Sequence, residues 1–165
     1  MARPKAELER DRQITPFQRL GDDDVRTFEC RGMGPPGSPD LSAALAARAP
    51  GLQSWFTAVE GFQSLQRSGK RRVMFFINMA PTECAGSDRF VDWGNGADNA
   101  ALLEILGRGT PAVSSWQEFL YYRPSQMPLA AGHSLGNANV VKAQVLFTFM
   151  RDRVLPPLVP PVHAQ

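Results

Sequence analysis

Histidine is scarce in this chain: only His133 and His163 occur in 165 residues. Neither has a carboxylate or thiolate at ligand spacing, so the sequence points to no metal centre. Cysteine is equally rare, with Cys30 and Cys84 alone. Two cysteines make no disulfide framework, and their spacing matches no metal motif, so the expectation is a pair of thiols in a reducing compartment. No apolar run approaches the ~18 residues that a membrane-spanning helix requires. The N-terminal residues interleave Arg3, Lys5 and Arg10 with Glu7, Glu9 and Asp11. They lack the apolar stretch of a signal peptide and carry too many acids for an organelle-targeting segment. Phosphate-cradling glycine motifs and internal repeats are missing too. These absences predict an intracellular protein, cytoplasmic or in an organelle lumen and not secreted, with no membrane span and no cofactor.

A large excess of one charge is also lacking. Lys and Arg number 18 against 16 Asp and Glu, for a net charge of +2. That balance permits an acidic partner without demanding one. The one dense basic cluster is Arg67, Lys70, Arg71 and Arg72. It falls in an expected turn, where a solvated charge run is the economical reading and nucleic-acid binding the weaker one.

The chain does contain 14 prolines, 14 glycines and 43% hydrophobic residues. The last figure is ordinary for a globular protein, which argues against wholesale disorder. The prolines and glycines divide the chain. Residues 1–39 form an irregular arm ending in a Gly/Pro linker at 32–39, residues 40–155 an α/β core, and residues 156–165 a Pro-rich tail of polyproline type. The expected fold is α+β: a single compact domain of several short helices on a small sheet, with extended N- and C-terminal tails.

Within the arm, Glu7–Arg12 suits a helical turn, and Pro16 holds Thr15 extended. Val25–Cys30 alternates like a short strand. In the core, Asp40 is a cap for a helix over Leu41–Ala49 that Pro50 ends. A second helix runs from Leu52 to Arg67, with Leu52, Phe56, Val59, Phe62 and Leu65 as one buried stripe, and Gly69 stops it. Val73–Met79 is apolar on both faces and predicts a central strand that buries Phe75 and Phe76. Asn78 to Asn95 reads as a long loop. Asp98 begins a helix that places Leu102, Leu103, Ile105 and Leu106 inward and closes at Gly107. Ser115 to Glu118 has capping-box form at the start of a short helix. The segment from Asn137 to Val154 alternates like a strand in part, but its length and freedom from breakers favour a helix.

Gly132-His133-Ser134-Leu135-Gly136 has the G-x-S-x-G pattern and resembles the nucleophile elbow of lipases, esterases and acyl-carrier acyltransferases. The resemblance implies Ser134 as nucleophile, with Asp152 and His163 following in the order those families use for acid and base. Pro128 departs from the pattern, because it cannot donate within a buried strand before the elbow, and the short stretch after Ser134 has no room for the further strands. A more diffuse resemblance is to the NADAR family of N-glycosidases, carried by Trp55, Glu60, Phe62, Gln63, Asn137 and Phe149-Met150-Arg151. It implies Glu60 as an acid, although Gly61 stands where that family has histidine.

No complete catalytic set emerges from these motifs. The leading expectation is a non-catalytic accessory or structural subunit that binds other protein subunits of a larger assembly through its tails and an exposed aromatic segment, Trp116 to Tyr122. The alternative is a serine hydrolase or acyltransferase using Ser134, Asp152 and His163. A glycan- or nucleotide-binding loop at 78–95 is a third possibility.

Overall fold

Three regular elements precede the main helices. In the computed structural model, which describes residues 5–30, 41–92, 96–130 and 133–155, they are α1 (Lys5–Asp11), α2 (Asp22–Arg26) and α3 (Leu41–Ala46). The strand expected over Val25–Cys30 is instead the end of α2 and an irregular stretch. Asp22, Asp23 and Asp24 fill the first turn, where the helix dipole favours acids, and the Asp24 carboxylate accepts the Gly21 amide at 3.3 Å. α3 is shorter than expected. It stops at Ala46, and Pro50 opens a 3₁₀ turn over Pro50–Leu52. The 32–39 linker, Asp40 and the tail 156–165 lie outside the described residues.

α4 (Gln53–Arg67) follows, and Gly69 ends it at φ +68°, the left-handed position that glycine supplies without strain. β1 (Phe75–Ile77) is only the middle of the expected strand. The expected loop contains an antiparallel pair, β2 (Thr82–Glu83) and β3 (Phe90–Val91), held in register by Thr82 opposite Val91. α5 (Gly96–Leu106) then returns the chain to β4 (Ala112–Ser114), which pairs parallel to β1 with Phe76 opposite Val113. After α6 (Trp116–Phe119) and a 3₁₀ turn come β5 (Leu129–Ala130) and β6 (His133–Ser134), a second antiparallel pair. α7 (Gly136–Phe149) completes the fold and runs into a π turn, Met150–Val154. The helix expected near Asn137 is therefore present, and short helices over small strand pairs make the fold α+β.

Among the described residues, two hydrophobic clusters form the interior. Val59 of α4, Ile77 of β1 and Leu106 of α5 pack with Trp55, Leu102 and Leu103. Phe90, Phe119, Leu120, Met127, Ala138 and Val141 form the other, flanked by Phe17 and Val25 from the arm. Trp116 and Phe119 are 0% exposed, so the aromatic segment expected on the surface is core. The α4 stripe also differs from expectation. Phe56 and Val59 are buried, but Phe62 and Leu65 face out and Gln63 turns in. The Gln63 amide donates to the Ile105 and Leu106 carbonyls at 2.9 and 3.3 Å, satisfying the end of α5. Phe75 and Phe76 are half-buried rather than enclosed on both faces, because among the described residues β1 pairs with β4 alone.

The caps are exchanged between elements. Asp98 lies inside α5, and its carboxylate accepts the Ser42 amide of α3 at 2.9 Å. No capping box forms at Ser115; its hydroxyl donates to the Met79 carbonyl at 3.3 Å. Ser114 takes over the cap. Its oxygen accepts the Trp116 amide at 3.1 Å and its hydroxyl donates to Asn99 at 2.6 Å.

The arm is fastened to the core. The Leu20 amide donates to the Tyr121 carbonyl at 2.7 Å, and Phe17 meets the Tyr122 ring edge-on at 5.6 Å. Cys30 and Cys84 form a disulfide, which corrects the expectation of two thiols. Their spacing in sequence carried no sign of it, because pairing requires only that the folded chain bring the two together. Among the described residues, no helix is long and apolar enough to cross a membrane.

Candidate functional site

Ser134 sits at the end of β6, and extended Leu135 carries the chain into α7. A nucleophile elbow needs its serine on a strained turn. Among the described residues, Arg48 is the sole non-glycine with positive φ, so the backbone at Ser134 is relaxed. The strand before it belongs to a two-residue antiparallel pair, not to the parallel pair. The Leu135 amide follows the serine, where an elbow would aim it at an oxyanion, yet it donates to the Pro128 carbonyl at 3.0 Å.

Asp152 is engaged elsewhere. Its carboxylate accepts two hydrogen bonds from the Arg151 guanidinium, at 2.6 and 2.9 Å, which hold its pKa below the usual carboxylate value. It lines a groove of about 510 Å³ beside Val113, Glu118, Gln144 and Phe149, a groove that Ser134 does not line. Gly132, His163 and Trp93-Gly94-Asn95 lie outside the described residues. The residues of the second resemblance have separate duties. Exposed Glu60 pairs with Arg48 at 2.6 Å, Gln63 caps α5, and Asn137 holds the arm.

The partner of Ser134 is Lys142. The Lys142 ammonium, two turns along α7, donates to the Ser134 hydroxyl oxygen and to the Asn78 side-chain carbonyl. Lys142 is 9% exposed and stands 5.6 Å from the centre of the Phe119 ring. Burial, with no charge interaction from a described carboxylate to oppose it, pushes its pKa below the ordinary lysine value. Asn78 directly follows β1 and is exposed, and Ser134 is half-buried, so the cluster reaches the surface at the carboxyl end of β1. Sequence reasoning missed Lys142. The available signal was that it is the one charged residue in Gly136–Phe149.

A second region lies on α4 and β1. Phe62 and Leu65 are 51% and 40% exposed. The Phe62 ring meets Phe75 edge-on at 6.3 Å, and Phe62, Arg72, Val73, Met74 and Phe75 line a shallow groove of about 510 Å³. Arg72 and Val73 also border the neighbouring groove, with Arg153 and Leu155. Arg67, Lys70, Arg71 and Arg72 are all exposed; the Arg71 guanidinium donates to the Lys70 carbonyl at 2.9 Å and that of Arg72 to the Val154 carbonyl at 3.2 Å.

Compared with known protein families, with curated proteins and with solved structures, the chain shows no match.

Proposed function

We propose that this chain is an accessory subunit that binds a protein partner through the α4/β1 face. The observation that carries the reading is the exposure of Phe62 and Leu65 on a helix that buries Phe56 and Val59 a turn earlier. Contiguous apolar surface with a polar rim is characteristic of interaction sites. The rim here is cationic, so complementarity calls for an acidic amphipathic segment. Its apolar residues would fill the groove over Phe75, and its carboxylates would meet Lys70, Arg71 and Arg72. An aliphatic and aromatic centre favours protein over nucleic acid, whose binding rests chiefly on phosphate contacts. The Cys30–Cys84 disulfide supports an oxidising compartment such as an organelle lumen over the cytosol.

The test is the native size of the endogenous protein, with cross-links from Lys70 mapped by mass spectrometry. The expected result is a complex larger than the monomer, with Lys70 joined to an acidic segment, that is lost in Phe62→Glu and in Arg71→Glu/Arg72→Glu. Far-ultraviolet circular dichroism checks that both variants fold. A free monomer would overturn the reading, as would a complex unaffected by both variants or one dispersed by nuclease.

A further inference from the structure

We infer that Ser134 is a nucleophile toward activated carboxylic esters and that Lys142 is the base that takes its proton. The site is separate from the α4/β1 face and does not depend on docking there.

A buried ammonium normally has a carboxylate beside it, since removing the charge from water is otherwise costly. Lys142 has none among the described residues. The groups around it are neutral: Ser134 from β6, Asn78 from the end of β1 and Phe119 from α6. Such surroundings favour the free amine. A neutral amine fits the same contacts, because it can accept the Ser134 hydroxyl proton while still donating to the Asn78 carbonyl. A desolvated lysine against a serine is a known arrangement for activating the hydroxyl. Asn78 is the positioning residue that holds the amine in place.

In the acylation step, the Ser134 oxygen bonds to the ester carbonyl carbon as its proton passes to the Lys142 amine. The bond from that carbon to the leaving oxygen then breaks, and the leaving group takes the proton from the Lys142 ammonium. Water reverses the sequence: its oxygen bonds to the acyl carbon, its proton goes to Lys142, and the Ser134 oxygen leaves and recovers that proton. The products are an alcohol and a carboxylic acid, with no net change in the protein. The Leu135 amide is committed to Pro128 and unavailable to a developing oxyanion. The substrates are therefore esters with good leaving groups, such as aryl esters, and not amides.

The experiment uses the full chain and a fluorophosphonate probe, which phosphonylates an activated serine with loss of fluoride. Intact mass and peptide mapping find the adduct, and thermal melting checks each variant. Wild type is expected to gain one adduct, on Ser134, and Ser134→Ala none. Lys142→Met and Lys142→Arg should label at least tenfold more slowly. The wild-type rate should rise with pH to a plateau, with its midpoint below the ordinary lysine value. Equal labelling of wild type and Ser134→Ala would overturn the inference, as would absence of any adduct. So would an adduct on Lys142 itself, or a rate unchanged in a folded Lys142→Met.

Discussion

The Asn137 side chain grips Thr15 at two points: its oxygen accepts the Thr15 amide at 2.9 Å, and its nitrogen donates to the Thr15 hydroxyl at 3.0 Å. The same nitrogen donates to the Gln126 carbonyl at 3.0 Å, and the residue is 1% exposed. One buried amide thus ties the N-terminal arm to the start of α7. Asn137→Ala removes all three bonds; Thr15 is exposed and Gln126 half-buried, so water can take up part of the loss, and three net hydrogen bonds should cost ~1–3 kcal/mol. Urea denaturation gives the loss. Limited proteolysis should cut the arm near Thr15 sooner in the variant, and unchanged cleavage would show that Phe17 and Leu20 hold the arm by themselves.

Gly136 makes the arm's second demand. Its φ is +42°, and an added Cβ would lie 2.6 Å from the Asp11 carbonyl oxygen and closer still to that of Gln13. Gly136→Ala therefore combines left-handed strain with a backbone collision and should cost at least ~2 kcal/mol. Gly69→Ala is the control. Its φ is also positive, at +68°, but nothing lies near the added Cβ. Strain alone should cost it ~1 kcal/mol. Equal denaturation midpoints for the two would mean that the arm yields freely at Gly136.

The helices α4, α5 and α7 were legible because apolar spacing, glycine stops and the absence of breakers are local signals. The strand around Phe75–Ile77 was legible for the same reason. What escaped the sequence was tertiary. Phe62 and Gln63 exchange roles because the end of α5 needs a donor at Gln63, and no pattern within α4 records that need. Trp116 to Tyr122 reads as an exposed aromatic segment, yet Phe90 and Val141 come from distant parts of the chain to enclose it. Asp98 caps α3 rather than its own helix for a comparable reason. At the candidate site, the motif drew attention to Ser134 and the wrong partners. Lys142 meets Ser134 and Asn78 only once α7 is folded against the end of β1, a contact that no local pattern records.

The disulfide sets a third expectation. Cys30 and Cys84 are separated by 54 residues, so the bond closes a long loop in the unfolded chain. Such a closure is worth up to ~4 kcal/mol by chain entropy, and ~2–4 kcal/mol is commonly realised. The double variant Cys30→Ser/Cys84→Ser should lose about that amount in denaturant unfolding. Wild type with a phosphine reductant should match it. If oxidised wild type and the double variant unfold together, the loop is already constrained when unfolded.

Lys142 gives a stability difference whose sign is set by its surroundings. Burial lowers its pKa in the folded chain, with no carboxylate among the described residues to offset that. Between the folded value and the ordinary one, the unfolded chain binds a proton that the folded chain does not. Stability from this group therefore rises with pH across that window, and it is lost as pH falls through the folded value. Lys142→Met removes the group and keeps most of its volume. Other titrating groups cancel when wild type and variant are compared at the same pH. The variant should gain most over wild type at low pH, where the buried ammonium is charged, and the gain should shrink as pH climbs toward ~10.4. Thermal melting points of both proteins across that range supply the test. A difference that does not vary with pH would mean that Lys142 keeps its proton in the folded chain throughout, and the amine would then be unable to serve Ser134 as a base.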